Sequence, residues 1–255
     1  MQDIIPTPEI VNKLNGFAPL YIINLKRRTD RYDRMMNLIN KNNITNYTFI
    51  EAVDGNENID HLIDNIEQKH RSIPTMLEVA TTISHIKAIE HWINTSDTEY
   101  AIFAEDDLSD ETVQYWGWTW TEFISAINFE YDVLQLCQTQ FTKIDHRVHK
   151  RMRTDYSAGL YILKREHAKG ILDRMIYNGK YKVNDQRSKV LADHTAIFGN
   201  TDKAYSCSLF TYNTDTKSDV NPGGINLHEK SKNLVLDFWK ENKISLQDFI
   251  ENYKK

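Results

Sequence analysis

No stretch of the 255-residue sequence approaches the roughly 20 apolar residues that a membrane-spanning helix needs, so no transmembrane segment is expected. The opening residues, MQDIIPTPEI, lack the basic start and apolar run of a secretory signal. Cysteine is scarce, with only Cys137 and Cys207, far apart and among apolar neighbours. Such a pair suits buried free thiols in a reducing compartment better than a disulfide. Positive charge is not in excess: 31 Lys and Arg face 36 Asp and Glu, for a formal net charge of -5. That balance argues against nucleic acid as a partner, because no basic stripe is available to hold its phosphates. The local cluster of Lys26, Arg27, Arg28 and Arg31 is interrupted by Asp30 and suits a solvated helix start as well as a phosphate site. Repeats, low-complexity segments and linkers are also missing, and the length is enough for one domain with a substantial core.

What is present is an alternation of strands and helices. Leu20 to Ile23 is short, apolar and β-rich, and reads as a buried strand ending at Asn24. Thr29 is placed to cap the next segment, where Tyr32, Met35, Met36, Leu38 and Ile39 recur at helical spacing. Tyr47 to Val53 reads as a second strand, closed by the turn signal Asp54-Gly55. Between Leu77 and Ile93 the residues Val79, Ile83, Ile86, Ile89 and Ile93 share one helical face. Tyr100 to Ala104 is another short apolar run. A helix over Trp118 to Ile127, strands over Tyr131 to Cys137 and Gly159 to Leu163, and a helix over Arg165 to Ile176 follow. Leu234 to Trp239 and a last helix, capped by Ser245 with Asp248 three residues on, close the chain. This alternation favours a mostly parallel sheet covered on both faces.

The run ending at Ala104 passes straight into Glu105, Asp106 and Asp107. In open parallel sheets, ligands gather at the carboxyl ends of strands. Two unit charges about 4 Å apart repel by about 4 kcal/mol at an effective dielectric of about 20, so a fold keeps such a cluster most readily when a cation neutralises it. Oxygen ligands in this number suit Mn2+ or Mg2+, bridging to a diphosphate. Taken alone, the three acids suit a solvated loop equally well.

Neighbouring segments make the pattern more specific. Tyr21-Ile22-Ile23-Asn24-Leu25 with Arg28, Asp30 and Arg31 comes first, and Glu51-Ala52-Val53-Asp54-Gly55 second. Glu78 through Ile83-Ser84-His85 and then Glu105-Asp106-Asp107 complete an ordered set. That set resembles glycosyltransferase family 25, enzymes of lipopolysaccharide biosynthesis and collagen galactosylation. Gly159-Leu160-Tyr161-Ile162-Leu163 with Ala168, and Asp193 in Leu191-Ala192-Asp193-His194, are similar to later positions of the family. Leu77 and Ala80 replace glycines usual around the acid at Glu78, which weakens any direct role for Glu78.

The resemblance implies an α/β, single-domain A-type glycosyltransferase fold, with a Rossmann-like, mostly parallel sheet flanked by helices. A nucleotide-sugar-binding half would span about residues 18-140, an acceptor-binding half about 141-230, and C-terminal helices 231-255. The implied reaction is a metal-dependent, inverting transfer of a hexose from UDP-galactose or UDP-glucose. The acceptor would be a hydroxyl of a glycan, a lipopolysaccharide or a hydroxylysine-type side chain, with Mn2+ or Mg2+ as cofactor. Asn24, Leu25, Arg28, Ser84 and His85 are then expected around the donor, with Glu105 or Asp106 on its ribose or transferred sugar. Asp107 is the expected metal ligand, with Glu105 and His228 beside it. His228 follows Gly223-Gly224, in a loop able to fold over the site. Asp193 is the expected base for the acceptor hydroxyl, and Asp155 the second candidate.

Two other readings compete. A receiver-type signalling domain also binds Mg2+ through adjacent aspartates, but it is about half this length and carries its acidic pair after the first strand. An inactive relative that binds glycans or scaffolds a complex fits the fold but leaves the intact acid cluster without a purpose. Trp116, Trp118 and Trp120 suit packing of the following helix better than a sugar-stacking platform. Tyr212 to Asp215 suit the acceptor side. A cytoplasmic place, in a bacterial cell or a virus-infected host cell, is expected.

Overall fold

The computed structural model describes residues 12–64, 75–139, 145–185, 188–215 and 225–254. Its apolar runs become strands β1 (Leu20–Asn24), β2 (Tyr47–Glu51), β3 (Tyr100–Glu105), β4 (Leu108–Ser109), β5 (Val133–Cys137), β6 (His149–Lys150), β7 (Leu160–Lys164) and β8 (Ala204–Tyr212). All join one eight-stranded sheet in the spatial order β2-β1-β3-β7-β5-β8-β4, with β6 also pairing β8. β2, β1 and β3 run parallel, as do β5 and β8. β7 lies between β3 and β5 and is antiparallel to both, so it alone among the longer strands is reversed. The sheet is therefore mostly parallel. Two small hairpins, Ile176–Tyr177 with Lys180–Tyr181 and Asn184–Asp185 with Ser188–Lys189, stand apart from it.

Period-two alternation decides what each face carries. On one face Leu20, Ile22, Ile102, Ala104, Leu134, Leu160 and Ile162 pack beneath helices α1 (Thr29–Lys41), α3 (Trp120–Ala126), α5 (Ile225–Glu241) and α6 (Leu246–Ile250). On the other, Tyr21, Ile23, Ala101, Phe103, Tyr161 and Leu163 pack beneath α2 (Met76–Thr95) and α4 (Arg165–Met175). Helices on both faces satisfy the burial that a near-continuous apolar strand demands. Trp116, Trp118 and Trp120 are all buried in the first of these cores, against Phe210, Trp239 and Phe17. The bland expectation for them holds.

Several local expectations need correction. Thr29 is the first residue of α1 and makes no side-chain cap. Within α1 the buried stripe is Arg31, Met35, Leu38 and Ile39, while Tyr32 is 39% exposed. α2 is buried well beyond one face, with Thr82, Ser84, His85 and Ala88 as buried as Ile83. Its start is fixed by a reciprocal cap: Thr75 Oγ1 accepts from Glu78 N at 3.2 Å, and Glu78 Oε2 accepts from Thr75 N at 2.6 Å. Glu78 thus has a structural task. Gly55 sits in the expected turn because a Cβ there would stand 2.8 Å from Met76 O and 2.9 Å from Leu77 Cα. Cys137 and Cys207 are both free and buried, as expected.

Candidate active site

β1 has β2 on one side and β3 on the other, each reached by its own crossover, so strand order reverses at β1. Carboxyl ends of strands at such a reversal form a ligand crevice. Asn24 ends β1 and Glu105 ends β3, and the acid cluster lies at this place.

Alternation then sends the adjacent acids to opposite faces. Glu105 shares its parity with Phe103 and meets α2: His85 Nε2–H donates to Glu105 Oε1 at 3.1 Å. A carboxylate only accepts, so Nε2 carries a proton, and Nδ1 lies 3.1 Å from the Tyr161 hydroxyl. Asp106 shares its parity with Ala104 and meets α1. Arg31 donates to Asp106 Oδ1 at 2.6 Å and Asn24 Nδ2 donates to Oδ2 at 2.8 Å. Asp107 lies just past the strand, with Oδ2 3.4 Å from Arg31. Its Oδ1 is buried and has no hydrogen-bond partner among the described residues.

These environments separate the three acids. Burial pushes the Glu105 carboxyl up, but the His85 hydrogen bond and charge, with Arg31 and His228, bring it below its ordinary value. For Asp107, burial, and then the Glu105 charge, lift it to about 7, and the Arg31 charge offsets only part. Asp106 is also pushed up by burial, against the pull of Arg31 and Asn24, so Glu105 alone of the three is shifted downward.

The other expected residues fall into distinct positions. Arg28 makes a two-pronged pair with Asp30 at 2.9 and 2.8 Å, and Arg27 pairs with Asp54 at 2.5 Å. Leu25 accepts from Arg28 N in the turn after β1. Ser84 is buried; its Oγ accepts from Val53 N at 2.8 Å and donates to Ala80 O at 2.7 Å, tying α2 to the end of β2. His228 is in the first turn of α5 and not in a loop; Gly223 and Gly224 lie outside the described residues. Its ring stacks on Tyr212 at 5.0 Å and 13°. Burial lowers its pKa despite the nearby Glu105 charge, favouring the neutral, metal-binding form.

Tyr212 links this side to Asp193. Its hydroxyl donates to Ser157 Oγ, and Ser157 N donates to Asp193 Oδ2 at 3.3 Å. Ser157 adopts φ 99°, outside the usual range for a side-chain-bearing residue, and such strain clusters at functional sites. Gly159 leaves room for the tyrosine, since a Cβ there would stand 2.6 Å from Tyr212 Cε1. Asp193 itself lies in the π-helical turn Ala192–Ala196 and is half-buried. Asp155 is fully buried, accepting from His149 Nε2 at 3.2 Å and Met152 N at 2.6 Å.

A family model described as glycosyltransferase family 25 (LPS biosynthesis protein) matches residues 17–185, more than half of the chain. The chain belongs to glycosyltransferase family 25. No curated protein matches this glycosyltransferase. Among solved structures, A197 from STIV is 12% identical, with 75% of this chain and 82% of that one covered and a TM-score of 0.38. HddC from Yersinia pseudotuberculosis is 14% identical, with 79% and 76% covered and a TM-score of 0.33. Overlap at that level adds nothing to the assignment. Among the described residues of the glycosyltransferase, no helix is long and apolar enough to cross a membrane.

The donor set fits a divalent cation in part. Asp107 offers a buried, unpaired oxygen of raised pKa, which a cation would satisfy. Both oxygens of Asp106 are taken. Among the described residues no three His, Cys, Asp or Glu side chains form a ready metal cluster. Sequence reasoning left Arg31 open between a solvated helix start and a phosphate site, and missed its partners Asp106 and Asp107. The available signal was its phase, since residues 31, 35, 38 and 39 share one helical face. Tyr161 and Ser157 were missed as well, and no local pattern marks them.

Proposed function

We propose that this glycosyltransferase moves a hexose, galactose or glucose, from a UDP-sugar to a hydroxyl of a glycan acceptor, lipopolysaccharide included, with inversion at the anomeric carbon. The observation that carries this reading is the unpaired, buried oxygen of Asp107 at the carboxyl end of β3, beside the strand-order reversal. Asp107 would hold Mn2+ or Mg2+, with Glu105 and His228 as the side chains best placed to assist. When bound, the cation supplies positive charge that stabilises the leaving diphosphate. Donor recognition falls to the residues after β1, within the half at about residues 18-140.

The protein's own groups do the rest. His85, braced by Tyr161, keeps Glu105 ionised and fixed in orientation. Asp193 accepts the acceptor hydroxyl proton as that oxygen attacks the anomeric carbon and the bond to the diphosphate breaks. Ser157 N–H and the Arg151 contact to the Asp193 carbonyl hold this base on its turn. Attack from the side opposite the leaving group gives the inverted product. An exposed base would lose its aim, and a wet site would hydrolyse the donor.

Calorimetric titration with UDP-galactose and UDP-glucose, with Mn2+ and then EDTA, tests donor and metal together, and UDP release follows turnover. Binding of one donor that EDTA abolishes is the expected result. Asp193→Asn is expected to lose transfer by at least about a hundredfold, in line with general-base contributions, while donor affinity stays within a few-fold. Equal loss of both would remove Asp193 from the role of base.

A further inference from the structure

Three adjacent carboxylates could share one cation, yet they are not equivalent. Asp106 is 6% exposed and Arg31 7%, so their ion pair is shielded from water. Arg31 reaches Asp106 Oδ1 at 2.6 Å, and Asn24 closes the other oxygen at 2.8 Å. The same guanidinium stands 3.4 Å from Asp107 Oδ2 and leaves Oδ1 alone. A cation that used Asp106 would have to displace a buried guanidinium and strand its charge, which is strongly unfavourable. A cation that used Asp107 Oδ1 would displace nothing.

We infer that Arg31 is a built-in counter-ion that withdraws Asp106 from the metal and leaves Asp107 as the aspartate that binds it. This rests on the donor-site reading above. Arg31 is a positioning residue: it acts through the two aspartates. Its long-range consequence is a cation site of lower negative charge than the sequence suggests, loading weakly until a diphosphate adds its own oxygens.

Mn2+ alone is the probe, with the free ion followed by electron paramagnetic resonance at constant pH and folding checked by circular dichroism. Arg31→Gln releases Asp106 and adds a net negative charge to the site, so Mn2+ should bind at least about tenfold more tightly than to the unaltered protein. Asp106→Asn leaves Arg31 with Asp107 as its remaining acidic partner and should weaken Mn2+ by at least about tenfold. The double variant removes both charges and should return to within about threefold of the unaltered protein, a coupling that a purely structural arginine would not produce. If Arg31→Gln does not fold, the comparison of Asp106→Asn with the double variant decides the point. Equal weakening in those two would make Asp106 a metal ligand and overturn the inference. Unchanged or weaker Mn2+ binding in a folded Arg31→Gln would also overturn it. No Mn2+ binding by the unaltered protein even with UDP present, or binding that survives Asp107→Asn, would instead bring down the donor-site reading itself.

Discussion

Asp107→Asn should make the metal-free protein more stable at alkaline pH. The Asp107 carboxyl is raised from 3.8 to about 7, chiefly by burial and then by Glu105. At about 1.4 kcal/mol per pH unit, ionising it inside the fold costs about 4 kcal/mol. Its side chain is 13% exposed, so water screens little of this. The sign follows from proton linkage: the fold holds the proton more tightly than the unfolded chain does. Stability is therefore full below about pH 4, falls as pH rises towards about 7, and stays low above it. Asparagine cannot ionise, but it loses the Arg31 contact and brings an amide that needs partners, together costing about 1–2 kcal/mol. The variant should be about 2 kcal/mol more stable than the parent at pH 8 in EDTA. That is a midpoint gain of about 4–8 °C for a chain of this size. At pH 5 the order should reverse or vanish. Urea melts of both proteins at pH 5, 6, 7 and 8 in EDTA measure this directly. Parallel stability curves over that range would refute the reasoning, because they would mean that Asp107 is ionised at no special cost. Adding Mn2+ should stabilise the parent and leave the variant unmoved.

Other predictions concern the frame that holds the site. Thr75→Ala removes the side-chain half of the reciprocal cap and should cost about 1 kcal/mol in thermal or urea melts. Glu78→Gln should keep full transfer activity, in line with a capping task; a large loss of turnover with unchanged stability would contradict it. Gly55→Ala presses a methyl group against the backbone of Met76 and Leu77 and should cost about 1–3 kcal/mol. Trp118→Ala empties a site between Trp239 and Phe249 and should cost about 3–5 kcal/mol. A loss of acceptor affinity without loss of stability would restore Trp118 as a sugar platform.

Much of the framework was legible because apolar strands announce themselves by length and β-branched content. Leu20–Asn24, Tyr100–Glu105 and Arg165–Met175 fall within a residue or two of their expected bounds. Strand direction is different. Leu160–Lys164 is buried on both faces whichever way it runs, so nothing in its composition shows that it is reversed. The early start of α5 was hidden by Gly223-Gly224, which looks like a loop, so His228 was placed on the wrong kind of element. At the site, the carboxylates were conspicuous because unpaired charge at a strand end is costly. Asn24 and His85 were expected beside them, but Arg31, Tyr161 and Ser157 were not, since these come from elements that only the folded chain brings together. The helical phase of Arg31 with Met35 and Leu38 was the one clue available.

The division of Glu105 and Asp106 between the two faces of the sheet turns three acidic letters into a phased message. A strand slipped by one residue exchanges its faces. Glu105 would then confront the arginine of α1, and Asp106 the histidine of α2. A one-residue deletion inside β3 would therefore scramble every pairing while leaving the motif intact on paper, and a swap of the first two acids would do so without changing composition. Spelling alone is thus a poor guide to a working site in a distant relative; the count of residues from the strand's apolar run to its first acid is the better one.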